Sequence, residues 1–83
     1  MIDVMMFKDW LSENTNYSKA VISDMASRMK RADKIVTWEP TTIYLYKLEQ
    51  SDSFKKLGVS VKSQMRKAVK SYIEFTKDMN MKK

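Results

Sequence analysis

The stretch Ser60-Val61-Lys62-Ser63-Gln64-Met65-Arg66-Lys67-Ala68-Val69-Lys70-Ser71-Tyr72-Ile73-Glu74-Phe75-Thr76 decides the fold. Within it Val61, Met65, Ala68, Val69, Tyr72, Ile73 and Thr76 recur at intervals of three and four, which places them on one face of an α-helix. No other part of the chain is as strongly periodic. The reading predicts a long helix capped by Ser60, whose hydroxyl can accept a first-turn N–H. Small Ala68 near its middle lets a second helix approach closely. Just upstream, Gly58 stands where a preceding helix commonly stops in a left-handed conformation. Downstream, Asn80-Met81-Lys82-Lys83 is expected to fray.

Earlier segments follow the same logic. Residues 51–57 predict a short turn begun by Ser51 or Asp52, with Phe54 and Leu57 meeting at three-residue spacing. Pro40 fixes the chain where a helix can begin, since a first-turn residue needs no intrahelical N–H bond. Ile43, Leu45 and Leu48 are its expected inward residues, with Tyr44 or Tyr46 at the rim. Ile35-Val36-Thr37-Trp38 has strand propensity but no pairing partner, so it reads as a packed connection with Trp38 closing one edge of the core. Ser18 caps a second helix that ends near Asp33 or Lys34, with Val21, Ile22, Met25, Met29 and Ala32 inward and Tyr17 folding back over its first turn. A first helix over Asp3–Glu13 carries Val4, Phe7 and Leu11 on one face, beside Met6 and Trp10, and Asn14-Thr15-Asn16 interrupts it. Short middle helices between longer ones predict an all-α, compact orthogonal four-helix bundle, SAM-like in shape, with an additional short helical turn.

The chain has 83 residues, which fits a single helical domain over 1–83, and its 43% hydrophobic content suffices for one core. Residues 1–11 contain Asp3, Lys8 and Asp9 and do not read as a secretory leader. No apolar run is long enough to span a bilayer. The absence of cysteine suits a reducing interior, and a cytoplasmic location is expected. With neither histidine nor cysteine, the usual nucleophilic triads and imidazole or thiolate zinc sites are excluded. A single glycine rules out a repeated-glycine phosphate loop. Asp3, Asp9 and Glu13 read as a solvated face rather than a metal site, and Asp24 and Asp33 as local partners of basic neighbours. No enzymatic activity, cofactor, metal or small-molecule substrate is expected.

The net charge of +6 is unevenly distributed. Residues 1–16 carry −2, residues 17–34 carry +3, residues 35–57 are neutral and residues 58–83 carry +5. Lys62, Arg66 and Lys70 recur every four residues on the last helix, with Lys77 continuing that side and Lys67 flanking it. Arg28, Lys30, Arg31 and Lys34 cluster on the second. Like charges at such spacing repel, and a phosphate backbone would relieve the repulsion while releasing counterions. Two outcomes remain open at this level: both clusters on one face make an electropositive groove, whereas opposed clusters merely solubilise. Of the eight methionines, Met25, Met29 and Met65 lie on core stripes, while Met1, Met5, Met6, Met79 and Met81 lie toward the ends, where they pack or coat a partner. An exposed Trp38 would mark an interface.

Three stretches, Phe7-Lys8-Asp9-Trp10-Leu11, Tyr17-Ser18-Lys19-Ala20-Val21-Ile22 and Ser63 through Phe75, give the chain an order of elements that resembles the N-terminal core-binding, or SAM-like, domain of tyrosine recombinases and phage integrases. The resemblance implies a helical clamp that grips duplex DNA from one side while another domain acts at a recombination site. It would place Lys19, Arg28 and Arg31 on DNA from the second helix and Lys62, Arg66 and Lys70 from the last. The catalytic residues of that family belong to a C-terminal domain, so none is assigned here. Val21 stands where the family commonly has threonine, and the Asp24-Met25 region lacks its usual tyrosine. The expectation is a non-catalytic module contacting duplex phosphates through Lys19, Arg28, Arg31, Lys62, Arg66, Lys67 and Lys70. The alternative is a small helical protein-interaction or homodimerisation module, and a membrane partner is not expected.

Overall fold

The computed structural model describes residues 2–81; the expectations for Met1, Lys82 and Lys83 lie outside the described residues. Five helices follow one another: α1 (Val4–Asn14), α2 (Lys19–Ile35), α3 (Tyr44–Gln50), α4 (Asp52–Lys55) and α5 (Val59–Met81). They form a compact all-α bundle of four main helices with one short extra helix, and no strand occurs among the described residues.

Local chemistry sets the helix starts. The Asp3 carboxylate accepts the Met6 N–H at 3.0 Å, Ser18 Oγ the Val21 N–H at 3.3 Å, and Ser51 Oγ the Phe54 N–H at 3.1 Å. Each satisfies a first-turn donor that the helix itself leaves unpaired. Thr15 ends α1 twice over, since both its N–H and its hydroxyl donate to the Leu11 carbonyl. After α2 the Asp33 carboxylate takes the Trp38 N–H at 2.7 Å, which folds the connection back over the helix end.

The core lies between α5 and the other helices, and α5 packs most extensively on α2. Met65, Ala68, Val69, Tyr72 and Phe75 of α5 are buried against Ile22, Met25, Ala26, Met29 and Ala32 of α2, Phe7 and Leu11 of α1, and Tyr44, Leu48 and Phe54 of α3 and α4. The alanines on both long helices let their backbones come close. Aromatic rings fill one end: Phe7 meets Tyr72 edge-on at 5.0 Å, and Trp38 meets Tyr44 and Tyr72 edge-on at 4.8 and 4.9 Å. Edge-to-face contacts of this kind add to the area that the rings bury. Half-buried Trp38 thus closes an edge of the core, as its position after α2 predicts.

Several local expectations are corrected. Residues 40–43 form turns rather than a helix, and α3 begins at Tyr44. Thr41, Thr42 and Ile43 are consecutive β-branched residues, poor helix formers that outweigh the start signal of Pro40. The inward face also differs from the expected one: Tyr44 and Leu48, four residues apart, are buried, Leu45 is half-buried, and Ile43 and Tyr46 are 51% and 66% exposed. Tyr44 suits the interior because its hydroxyl donates to the Val36 carbonyl at 2.7 Å. Gly58 does not adopt a positive φ. Its carbonyl accepts the Lys62 N–H at 2.9 Å, so Gly58, not Ser60, is the N-cap of α5. Val21 is exposed and Ala26 takes its place on the inward stripe of α2. α5 includes Asn80 and Met81.

Candidate nucleic-acid interface

The cations of α5 are divided by helical geometry. Lys62, Arg66 and Lys70, at four-residue spacing, follow one flank and the outer side of the helix, whereas Lys67 projects on the flank nearer α2. Contacts agree with this division. Arg66 Nε donates to the Glu49 carboxylate of α3 at 2.6 Å, and its guanidinium lies 5.4 Å from the centre of the Phe54 ring of α4. Lys67 instead shares a cavity of about 250 Å³ with Val21, Asp24, Met25 and Arg28 of α2 and Gln64 of its own helix.

Arg28 and Lys67 are therefore where the α2 and α5 cation clusters meet. The remainder of the α2 cluster points elsewhere: Lys30, Arg31 and Lys34 line a separate cavity with Ser27, a surface to which no α5 residue contributes. Lys19 is exposed in the first turn of α2, and Lys62 is half-buried near the start of α5.

A larger open cavity of about 580 Å³ runs over the outer side of α5, lined by Ser63, Arg66, Lys67, Lys70, Ser71, Ile73 and Glu74 together with Tyr17 from the α1–α2 loop. Lys67 belongs to both cavities, so the surface from Arg28 through Lys67 to Lys70 is continuous. Ion pairs among the described residues join Lys47 to Glu39 and Arg66 to Glu49, leaving Arg28, Lys67 and Lys70 without a carboxylate partner. Asp24 and Glu74 sit one helical turn from Arg28 and Lys70 and moderate the positive potential without pairing.

The sequence places Tyr17 over the first turn of α2 but does not announce its contact with α5. Its neighbour Ser18 marks it as a residue before a helix, but its ring lies 4.9 Å from Lys67 Nζ on α5. That contact holds an ammonium group by the face of an aromatic ring. Only the tertiary arrangement brings the two together.

The two cavities bring together cations, hydroxyls and an amide. The resolved pKa displacements belong to core phenols: burial, with help from the Asp33 charge, pushes Tyr44 up to about 12. Burial raises Tyr72 as well, opposed in part by the Asp3 N–H that its oxygen accepts at 2.9 Å. Both remain neutral near pH 7. Among the described residues no group of three or more His, Cys, Asp or Glu side chains is placed to hold a metal ion, and no helix is long and apolar enough to cross a membrane.

Fold and site together define a small helical bundle in which Lys67 lines both the α2–α5 cavity and the open cavity over the outer side of α5. Beyond that class the comparisons add no relative: no family model, no curated protein and no solved structure matches the chain.

Proposed function

We propose that the protein is a non-catalytic DNA-binding module that receives duplex phosphates along Arg28, Lys67 and Lys70, in the manner of the recombinase core-binding domains its sequence resembles. The observation that carries this reading is the shared position of Lys67, which joins the α2–α5 cavity to the outer face of α5. Ser63, Ser71 and Gln64 supply neutral donors beside the cations, the mixture that phosphate oxygens accept from. The body is 35 Å along its longest dimension, comparable with the roughly 34 Å of one duplex turn, so the contact would stay within about one turn. A cysteine-free chain acting on DNA also suits a cytoplasmic setting.

The test is binding of a fluorescent duplex titrated across salt concentration. Replacing Arg28, Lys67 and Lys70 by glutamine should flatten the slope of log affinity against log salt by about 2 to 3, at about 0.9 for each phosphate no longer neutralised. An unchanged slope, with the helical circular-dichroism signal intact, would remove this surface as the phosphate site.

One feature favours a second reading, protein interaction or homodimerisation. Met5 is 74% exposed on α1, and the adjoining cavity combines Met6, Trp10 and Met79 with Asp9 and Glu13. Such a patch suits a partner with an apolar anchor and basic rim. Sedimentation that is independent of protein concentration would exclude self-association through it.

A further inference from the structure

We infer that the cavity between the connection after α2 and the C-terminal half of α5 holds one unpaired nucleobase of a bound DNA strand. This rests on the DNA-binding reading and extends it from phosphates to a base. The cavity measures about 240 Å³, with apolar walls from Trp38, Pro40 and Ile73 and polar groups from Thr42, Lys77 and Asn80. Drug-sized sites start near roughly 300 Å³, so the space suits a single ring system and is too small for a base pair. A base reaching it must therefore have left the duplex stack or come from a single strand.

Three properties match such a ring. First, the wall is rigid: Trp38 is fixed by edge contacts with Tyr44 and Tyr72 and by the bond from its backbone N–H to Asp33. A preordered aromatic surface loses little entropy when a flat ring settles on it. Second, hydrogen-bonding capacity is unspent. The Trp38 indole N–H and the Asn80 amide make no hydrogen bond with a described residue, and among the described residues no buried side-chain polar atom lacks a partner, so both groups open to solvent. An N–H donor beside an amide that donates and accepts complements the edge of a base. Third, charge is available at the mouth. Lys77 lies two helical turns, about 10 Å, beyond Lys70 on the same side of α5. Ile73 lines both this cavity and the outer face of α5, so a strand following the phosphate track arrives at the pocket without leaving the surface.

The inference is tested with three duplexes two helical turns long: fully paired, carrying a single-thymine bulge, and carrying the same bulge with an abasic residue. The two bulged probes have the same charge and differ only in the base. The thymine bulge should bind on the order of tenfold tighter than the abasic one, as expected for seating one base against an aromatic wall. Its titration should move the Trp38 indole N–H resonance, which the abasic probe leaves in place. Thr42→Leu, at an exposed position on the pocket wall, should erase the difference between the bulges, with circular dichroism reporting the fold and the paired duplex as reference. Equal affinities for the two bulges, with the indole resonance unmoved, would overturn the pocket; salt-dependent binding of the paired duplex would then leave the phosphate reading standing. Failure of all three duplexes to bind would overturn both.

Discussion

The Trp10 indole N–H donates to the Asp78 carboxylate at 2.7 Å, joining α1 to the last turns of α5 across 68 positions of sequence. Beside it the Trp10 and Phe75 rings meet at 5.9 Å, so the polar bond seals an aromatic end of the core. The bond is partly shielded from water and one partner is a carboxylate, the setting in which a hydrogen bond contributes most. Asp78→Ala should lower stability by about 1–2 kcal/mol. Asp78→Asn, which keeps an acceptor in place, should recover part of the loss. Thermal unfolding followed by circular dichroism decides: equal melting temperatures for the alanine variant and the parent would show that the bond carries no stability.

Tyr44 makes a different demand on the core. Its ring is fully buried while its hydroxyl donates to the Val36 carbonyl, so Tyr44→Phe keeps the packing and leaves that acceptor unpaired. The cost should be about 1–2 kcal/mol, and about 4–8 °C of melting temperature accompanies each kcal/mol in a domain of this size. The phenol also gives stability a pH dependence. Its folded pKa of about 12 lies above the ordinary 10.0, so the unfolded chain releases this proton first. Stability from this group is complete below pH 10 and declines as pH rises from about 10 to 12. Tyr72 is displaced in the same direction, so Tyr44→Phe should make the alkaline decline shallower without abolishing it. An identical decline in parent and variant would refute this assignment.

The same residue shows which parts of the fold were legible in the sequence. Long helices announce themselves through many repeated apolar positions, so α2 and α5 and most of their buried faces follow from spacing alone. α3 has seven residues, too few for the period to outvote local chemistry. Ile43 and Tyr44 are neighbours with opposite fates, and nothing nearby reveals that Val36 will offer the Tyr44 hydroxyl an acceptor. The candidate site divides likewise. That Lys62, Arg66 and Lys70 share one side of a helix is a property of four-residue spacing. That Arg66 is taken up by Glu49 and Phe54, and that Lys67 is the cation meeting α2, depends on how helices pack. Tyr17 carried a local signal only for packing over the start of α2, and nothing local foretold its contact with Lys67, 50 positions away.

Arg66 and Lys70, one turn apart on α5, should therefore respond oppositely to substitution. Arg66→Ala removes the Glu49 ion pair and the contact with Phe54; both charged groups are about one-third exposed, which limits the loss to about 1 kcal/mol. Lys70→Ala touches neither and should change stability by less than about 0.5 kcal/mol. In duplex binding the order reverses: removal of the Lys70 charge should reduce the salt slope by about 0.9, while removal of Arg66, already neutralised by Glu49, should reduce it less. Paired melting and salt-titration measurements on the two variants separate structural from ligand-directed charge. A Lys70 variant that melts early and binds normally would invert the assignment.

Gly58 offers a gain rather than a loss. It caps the longest helix with a backbone carbonyl, has no positive φ, and an added Cβ would meet nothing within 4 Å. Glycine thus gives α5 no geometric advantage while leaving the unfolded chain more freedom to lose. Gly58→Ser supplies a hydroxyl for the first-turn N–H groups and restricts the unfolded backbone; together these should raise stability by about 0.5–1 kcal/mol. Gly58→Ala, which restricts the chain without supplying a cap, should fall below the serine variant, since alanine is a poor N-cap. Denaturant midpoints for the parent and both variants provide the measurement. If serine gains nothing over alanine, the start of α5 does not lie at Gly58, and the capping role returns to a residue further along.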